Sequence, residues 1–448
     1  MRRYLIISLI LFITAVPLLA EDWLTIYNDD LSLVRSQFEL NLKSGFQNYS
    51  YDDITSRIMP TSVIVSSTVE GFQVAEQNYE YDLAGKWQIM AKYLDKEVEI
   101  LTKSEARVVG TLKFFDGNSY GISEKGSGKL IVVSDEQTQM ISLSKLPDNF
   151  YVKPTLRWTL KSPQSGKIPV QLTYLSGGFS WDVAYNTVWD GDKLIFNSWV
   201  TINNTSGRAF TDVNLKLIAG DINRYYDRYA GGRGKYAFEM VEDAVMMNAM
   251  PEFEAKEFHD FHMYTLNQKA SFADKQSKQM ELFPTKEISA QGIYEYHTWD
   301  SGVKSIIRFT NNRESGIGEA LPKGVIKVYK QDTDGNLEFI GEDGIDHTAR
   351  NEEVSINTGK AFDLAGSTME RNRTNLGKNV YERDLQVTLK NNSKEEKTIH
   401  VIHRMDGNTR LVQQDYDPVI DSNNKATFTI KIQPDTIITF GFRERTEY

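Results

Sequence analysis

There is no cysteine in the 448 residues. That excludes disulfide staples, a thiolate nucleophile, a thiolate metal site and a lipid-modified cysteine anchor. Excess positive charge is also missing. The formal net charge is −10, and residues 1–20 hold Arg2 and Arg3 and no acid, so the remainder carries −12. Such a chain lacks the basic face that neutralises phosphates, so nucleic acid is not expected as a partner. Beyond the N-terminus no apolar run reaches the roughly 20 residues of a membrane-spanning helix. Catalytic signatures are scarce too. "GFSWD" around Ser180 lacks the second glycine of a hydrolase elbow. "GGRGKY" at 231–236 lacks the spacing and the Ser/Thr of a phosphate loop. "SLSK" ending at Lys145 has no companion motif.

What is present begins with "MRRYLIISLILFITAVPLLAED": a basic start, an apolar stretch from Tyr4 to Val16, Pro17, then Ala20 before Glu21 and Asp22. This is the layout of a signal peptide, with cleavage expected after Ala20, although Leu18 is larger than the usual small residue at that position. An uncleaved anchor is the alternative, and Ser8, Thr14 and Pro17 interrupt it. The expectation is an exported protein, periplasmic or secreted and soluble after cleavage. A chain this long can rely on burial instead of disulfides. Sequons such as Asn204-Thr205-Ser206 matter only in a host that glycosylates.

The mature sequence is patterned for strands. Val170, Leu172 and Tyr174 alternate with polar neighbours, as do Val213, Leu215 and Leu217, then Leu385, Val387 and Leu389, and finally Ala426, Phe428, Ile430 and Ile432. Asp-Gly pairs at 116–117, 190–191 and 334–335, and Gly177-Gly178, supply turns between such runs. Only 84–95 reads as helix, with Trp87, Met90, Ala91 and Leu94 at helical spacing. The predicted class is all-β, with Ig-like β-sandwich units, a small SH3-like barrel and one short helix.

Three stretches, 199–217, 306–329 and 385–403, share one plan: an alternating strand, Asn-Asn at its end, a polar turn and another strand. Asparagine tolerates left-handed backbone and bonds neighbouring amides, so it ends strands well. Paired strands of this length suit sandwiches. The expected organisation is a signal peptide over 1–20, an N-terminal β unit over 21–96, the SH3-like barrel over 97–150 and a β-sandwich unit over 151–224. An irregular Met- and aromatic-rich excursion follows over 225–300, then a C-terminal Ig-like unit over 301–448. Excursions of that length are usually functional or disordered.

The segments "WLTIYNDDLSLVRSQFELNLKSGFQNYSYDDITSRIMPTSVIV" (23–65), "LTYLSGGFSWDVAYNTVWDGDKLIFNSWVTINNTSGRAFTDVNLKLIAGDINR" (172–224) and "LPKGVIKVYKQDTDGNLEFIGEDGIDHT" (321–348) carry a resemblance. They look like the bacterial exported domain-of-unknown-function family related to mucoidy inhibitor A-like proteins. The resemblance covers nearly the whole mature chain. The long coiled coil that many relatives carry between their halves is missing, and the barrel-like unit stands there instead. The resemblance implies an exported β-rich protein of the cell envelope with no assigned reaction. It provides no active-site residues to carry over.

Candidate sites are few. "RYYDRYAGGRGKYAF" sets Tyr225, Tyr226, Tyr229 and Tyr236 beside Arg224, Arg228 and Arg233 in a Gly-rich loop, a surface suited to glycan or acidic peptide. A loop folded back on its own sandwich is the plainer reading of the same residues. Met240, Met246, Met247, Met250 and Met263 gather with His259 and His262, soft donors that suit Cu(I); methionine is also common filler where a loop packs on a sheet. Asp332, Asp334, Asn336 and Glu338 have oxygen spacing that could wrap Ca²⁺, but Gly335 comes too early for an EF-hand and a hairpin turn fits better. His400 and His403 point to opposite faces of one strand and cannot chelate together. No cofactor is expected. The functional expectation is an exported, envelope-associated binding or structural protein whose partner is an envelope protein or glycan. The alternatives are an enzyme acting on envelope polysaccharide and a periplasmic copper-binding protein.

Overall fold

The computed structural model describes residues 20–81, 86–145, 151–220, 222–223, 253–258 and 261–447. The chain is all-β. Its only α-helix among the described residues is Lys86–Lys92, and no described helix is long and apolar enough to cross a membrane. Two compact units form. The first comprises residues 1–180, 203–216 and 269–276; the second comprises 181–202, 217–268 and 277–448.

In the first unit, one sheet runs Phe210–Ala219, Glu21–Tyr27, Leu31–Leu42, Gly166–Ser176, Ile64–Ser67. Strand Leu31–Leu42 turns Val34, Ser36, Phe38, Leu40 and Leu42 inward and leaves Arg35, Gln37, Glu39 and Asn41 more exposed, the period-two burial of a one-sided sheet. A second sheet centres on Thr155–Ser162, flanked by Gly45–Tyr51 and Gln73–Glu80. Phe38 of the first sheet stacks on Tyr51 of the second at 4.4 Å, and Tyr51 on Trp158 at 5.8 Å. The two faces therefore make one sandwich.

This corrects the expected division into 21–96 and 151–224. The strands of 21–80 form a single sandwich with Thr155–Ser162 and Gly166–Ser176, because Leu31–Leu42 pairs with Gly166–Ser176 and Gly45–Tyr51 with Thr155–Ser162. Phe179–Trp189 and Lys193–Asn204, expected in the same unit, lie in a sheet of the second unit. Alternation marks a strand without naming its partner. Glu80 faces Thr155 across the ladder, so the chain leaves that ladder at one residue and returns beside it. The excursion contains a five-stranded antiparallel sheet in the order Thr138–Leu143, Glu97–Thr102, Arg107–Phe115, Ser119–Glu124, Leu130–Ser134, its last strand beside its first. Its core takes in Met90 and Tyr93 with Val98, Ile100, Leu112, Tyr120, Ile122 and Val133. The helix thus belongs to this small unit, which starts before residue 97. Trp87 and Leu94, expected on the buried stripe, are exposed.

The second unit contains a sheet in the order Gln276–Ser289, Lys193–Asn204, Phe179–Trp189, Gly324–Gln331, Leu337–Ile345. A six-stranded sheet (Glu353–Lys360, Lys304–Thr310, Gln291–His297, Lys397–Arg404, Lys425–Ile432, Val419–Ile420) faces a four-stranded one (Leu364–Gly377, Val380–Asn391, Thr436–Glu447, Asn408–Gln414). Between them lie Tyr296, Val387, Ile399, Val401, Phe428, Phe440 and Phe442. The irregular excursion expected over 225–300 is also corrected. From residue 253 onward it forms strands Phe253–Phe258, Phe261–Leu266, Ala270–Phe272, Gln276–Ser289 and Gln291–His297. In Gln276–Ser289 the buried positions are Met280, Leu282, Phe283 and Ile288, a broken alternation around Pro284 that hides the strand from a period-two reading.

The Asn-Asn repeat has a different cause from the one expected. Asn204, Asn311 and Asn391 are fully buried, and none has left-handed backbone. Each plugs a turn with its side chain. Asn204 Nδ2 donates to the Arg208 and Ala273 carbonyls at 2.8 and 2.9 Å, while its Oδ1 accepts from the Ser206 amide and hydroxyl. Asn391 repeats this with the Glu395, Ile432 and Gln433 carbonyls and with Ser393. Asn311 Nδ2 donates to Glu319 and Ala349, but two residues on stands Arg313, and Asn311 Oδ1 has no partner among the described residues. A glycan on Asn204 would replace one of the two Nδ2 hydrogens and so remove one of these bonds.

Candidate functional site

The sequence-nominated sites fall mainly outside the described residues. Arg224, Tyr225, Tyr226, Arg228, Tyr229, Arg233 and Tyr236 all do, and so do Met240, Met246, Met247, Met250 and His259. Of the soft-donor set, His262 and Met263 remain. They are consecutive on strand Phe261–Leu266, so they point to opposite faces, with Met263 buried. They cannot ligate one ion together. Among the described residues no group of three or more His, Asp or Glu is placed to hold a metal. Asp332 to Asn336 form the turn between Gly324–Gln331 and Leu337–Ile345, closed by the Asp332 amide on the Asn336 carbonyl at 2.9 Å, with Gly335 at a φ of 84°. Ser180 lies in strand Phe179–Trp189 and Ser142 in strand Thr138–Leu143.

The strongest site sits at one end of the C-terminal sandwich. In "KTIHVIHR", Ile399, Val401 and His403 share the inward face, and His400 lies half-buried on the other. On the facing sheet, Phe440, Phe442, Glu444 and Thr446 share the inward face. Where the apolar core ends, a histidine and a glutamate therefore continue it. Glu444 is 1% exposed. Its Oε2 is 2.8 Å from His403 Nε2, and its Oε1 accepts from Arg383 Nε at 2.7 Å. His403 Nδ1 lies 2.8 Å from Thr298 Oγ1, and its ring packs on Phe442 at 4.7 Å. Burial by itself would raise the Glu444 carboxyl; the hydrogen bonds and charges of His403 and Arg383 outweigh it and hold it below the usual carboxylate value. Burial likewise opposes charge on Arg383, and Glu444 more than restores it.

Above this network opens a groove of about 530 Å³ lined by Thr298, Trp299, Thr368, Arg383, Leu385, His403, Arg404 and Asp406. Thr298 and Trp299 follow strand Gln291–His297, anchored by the Thr298 amide on the Ile402 carbonyl at 3.0 Å. Thr368 is fixed by the Tyr296 hydroxyl at 2.9 Å. Tyr296 in turn packs where Gly366 has no side chain, since a Cβ there would fall 2.4 Å from its ring. Trp299 is 56% exposed and leans on His297 at 4.8 Å. The groove thus offers an aromatic face, hydroxyls, a guanidinium and a carboxylate, with Arg404 Nε 3.2 Å from Asp406. Hydrolysis of a glycosidic bond needs two working carboxyl groups. Glu444, closed off and shared between two bases, is not one.

Sequence reasoning took His403 only as half of a rejected chelate pair. The usable signal was a charged or ionisable residue in phase with the apolar positions of its strand, at His403 and again at Glu444. Such a residue requires a buried partner. No protein-family model matches the sequence, and no curated protein does.

Proposed function

We propose that the protein is an exported component of a bacterial envelope that binds glycan without cleaving it, through the groove at the end of its C-terminal sandwich. The observation that carries this reading is Trp299, a residue 56% exposed on the rim of a polar groove. An indole face packs against the C–H face of a sugar ring, while nearby hydroxyl, guanidinium and carboxylate groups meet its hydroxyls. The leader-like N-terminus and the resemblance to exported envelope proteins support the compartment. The closed His403–Glu444–Arg383 network supports binding over turnover, because it leaves no free acid beneath the groove.

The test is a thermal-shift titration of the full chain with fragments of the host's envelope polysaccharide. A ligand at 100 times its dissociation constant stabilises by about 2.7 kcal/mol. For a unit of roughly 150–250 residues that raises the melting temperature by about 5–10 °C. The expected result is such a shift, lost in Trp299→Ala, with no new reducing ends released. No shift with any fragment overturns the binding reading, and release of reducing ends replaces it with an enzyme.

A further inference from the structure

The small five-stranded sheet of the first unit ends in an open edge. Strand Leu130–Ser134 pairs with Ser119–Glu124 on one side, and no described strand pairs with it on the other. The Glu124 amide donates to the Lys129 carbonyl at 2.8 Å, and the Asp135 amide donates to the Asn118 carbonyl at 2.6 Å. Antiparallel pairs alternate, so Ile131 and Val133 bond to the neighbouring strand, while the amides and carbonyls of Leu130, Val132 and Ser134 point to the open edge. The Thr138 hydroxyl already donates to the Ser134 carbonyl at 3.0 Å, which leaves Leu130 and Val132 as the open part. Their side chains stand on the outer face, 58% and 57% exposed. Across the ladder from Val132 is Gly121, and the ring of Phe114 occupies the space that a side chain there would need. Leu130, Val132 and Phe114 therefore make an apolar patch that runs up to the open edge.

Proteins usually blunt such an edge with a charge, a proline or a bulge. Strand Leu130–Ser134 has neither charge nor proline, and its paired side shows no register shift. An apolar edge of this kind is a template for one more strand. The strand is its own complement. Two copies paired antiparallel about Ile131 set Leu130 opposite Val132 of the second copy, and Val132 opposite Leu130 of the second copy. Both are hydrogen-bonded pairs, so every open amide and carbonyl of Leu130 and Val132 finds a partner. The exposed side chains of the same two residues meet those of the second copy on one face. The charges agree with this direction. Lys129 stands exposed at one end of the strand and Glu136 just past the other, and antiparallel pairing brings the Lys129 end of each copy toward the Glu136 end of the other. A two-fold contact of this type closes on itself, so assembly stops at two copies. We propose that the protein forms a two-fold dimer through the open edge of strand Leu130–Ser134. The inference is independent of the glycan reading.

The experiment is sedimentation equilibrium of the full chain over a range of concentrations. The expected result is a reversible monomer–dimer equilibrium. Val132→Lys, at an exposed position, brings two like charges to the contact and is expected to weaken the dimer at least tenfold while the circular dichroism of the chain is retained. Because the sequence has no cysteine, a single introduced one reports the register. Ile131 lies on the two-fold axis in a non-hydrogen-bonded pair, whose Cα atoms stand about 4.5 Å apart, within reach of a disulfide. Ile131→Cys is therefore expected to give disulfide-linked dimers on mild oxidation, and Ser127→Cys, on the exposed turn before the strand, is expected to give none. A parent chain that stays monomeric at every concentration overturns the proposal. So does a dimer that Val132→Lys leaves intact, or an Ile131→Cys chain that does not crosslink.

Discussion

Two arginine–carboxylate clusters, one in each unit, solve the same problem to different degrees. In the C-terminal sandwich one carboxylate, Glu444, is shared between Arg383 and His403, and His403 reaches on to Thr298. In the N-terminal sandwich two carboxylates, Asp22 and Asp53, embrace one arginine, and a guanidinium nitrogen is left over. A closed cluster fixes the sandwich end and leaves recognition to its rim, where Trp299 stands. The N-terminal cluster instead leaves one buried guanidinium nitrogen, Arg208 Nη1, without a hydrogen-bond partner among the described residues.

The comparison breaks most visibly at Glu444. Replacing it with alanine strands Arg383 and His403, and removing one member of a buried ion pair costs about 3–5 kcal/mol. Chemical denaturation of Glu444→Ala is expected to show that loss. The asparagine plugs come next. Asn391→Ala leaves three carbonyls and the Ser393 amide without their partner, a loss of about 2–3 kcal/mol, whereas Asn311→Ala, which loses only the two Nδ2 bonds, is expected to cost about 1–2 kcal/mol. Equal costs at the two positions would show that the third carbonyl and the Ser393 contacts of Asn391 together contribute nothing. Asp22→Asn is expected to cost a similar amount, about 1–2 kcal/mol, because Asp53 still holds Arg208 and the amide oxygen still accepts.

The pH dependence sharpens the contrast further. The Glu444 carboxyl is held below its ordinary value in the folded state. Its contribution is therefore fully present above the unfolded-state value of about 4.3 and is lost as pH falls through the lower folded value. Melting temperature followed from neutral pH downward is expected to drop less steeply on the acid limb in Glu444→Gln than in the parent. Parallel curves would contradict the assignment. The smallest effect on stability belongs to Trp299→Ala. A surface ring away from the core is expected to change stability by no more than about 0.5 kcal/mol.

Much of the fold was legible in the sequence. Period-two alternation located Gly166–Ser176, Phe210–Ala219, Val380–Asn391 and Lys425–Ile432, and the Asp-Gly pair at 334–335 marked a real hairpin turn. Pairing was not legible. Nothing in Gly45–Tyr51 or Gln73–Glu80 announces that Thr155–Ser162 lies between them, because register across a long insertion is set by the whole sandwich. Strands with broken alternation, such as Gln276–Ser289, were hidden. The groove was hidden too, since Trp299, Arg383, His403 and Glu444 come from four separate segments. His403 and Glu444 did carry a local sign, each occupying an inward position that an apolar residue would normally take. Asn204 and Asn391 show the same principle: the repeat was visible, while its cause, a side-chain plug completed by a serine two residues on, needed the fold.

Trp299 offers the most direct test of glycan binding at the groove. Intrinsic fluorescence during titration with envelope-polysaccharide fragments reports on it, against variants that alter only that ring. The account predicts a saturable spectral change in the parent protein. Trp299→Phe keeps an aromatic face, so it is expected to retain most of the affinity by calorimetry and to lose most of the spectral change. Trp299→Ala is expected to lose both, at least tenfold in affinity, with its melting temperature unchanged. Polysaccharide binding at parental affinity in Trp299→Ala would contradict the account.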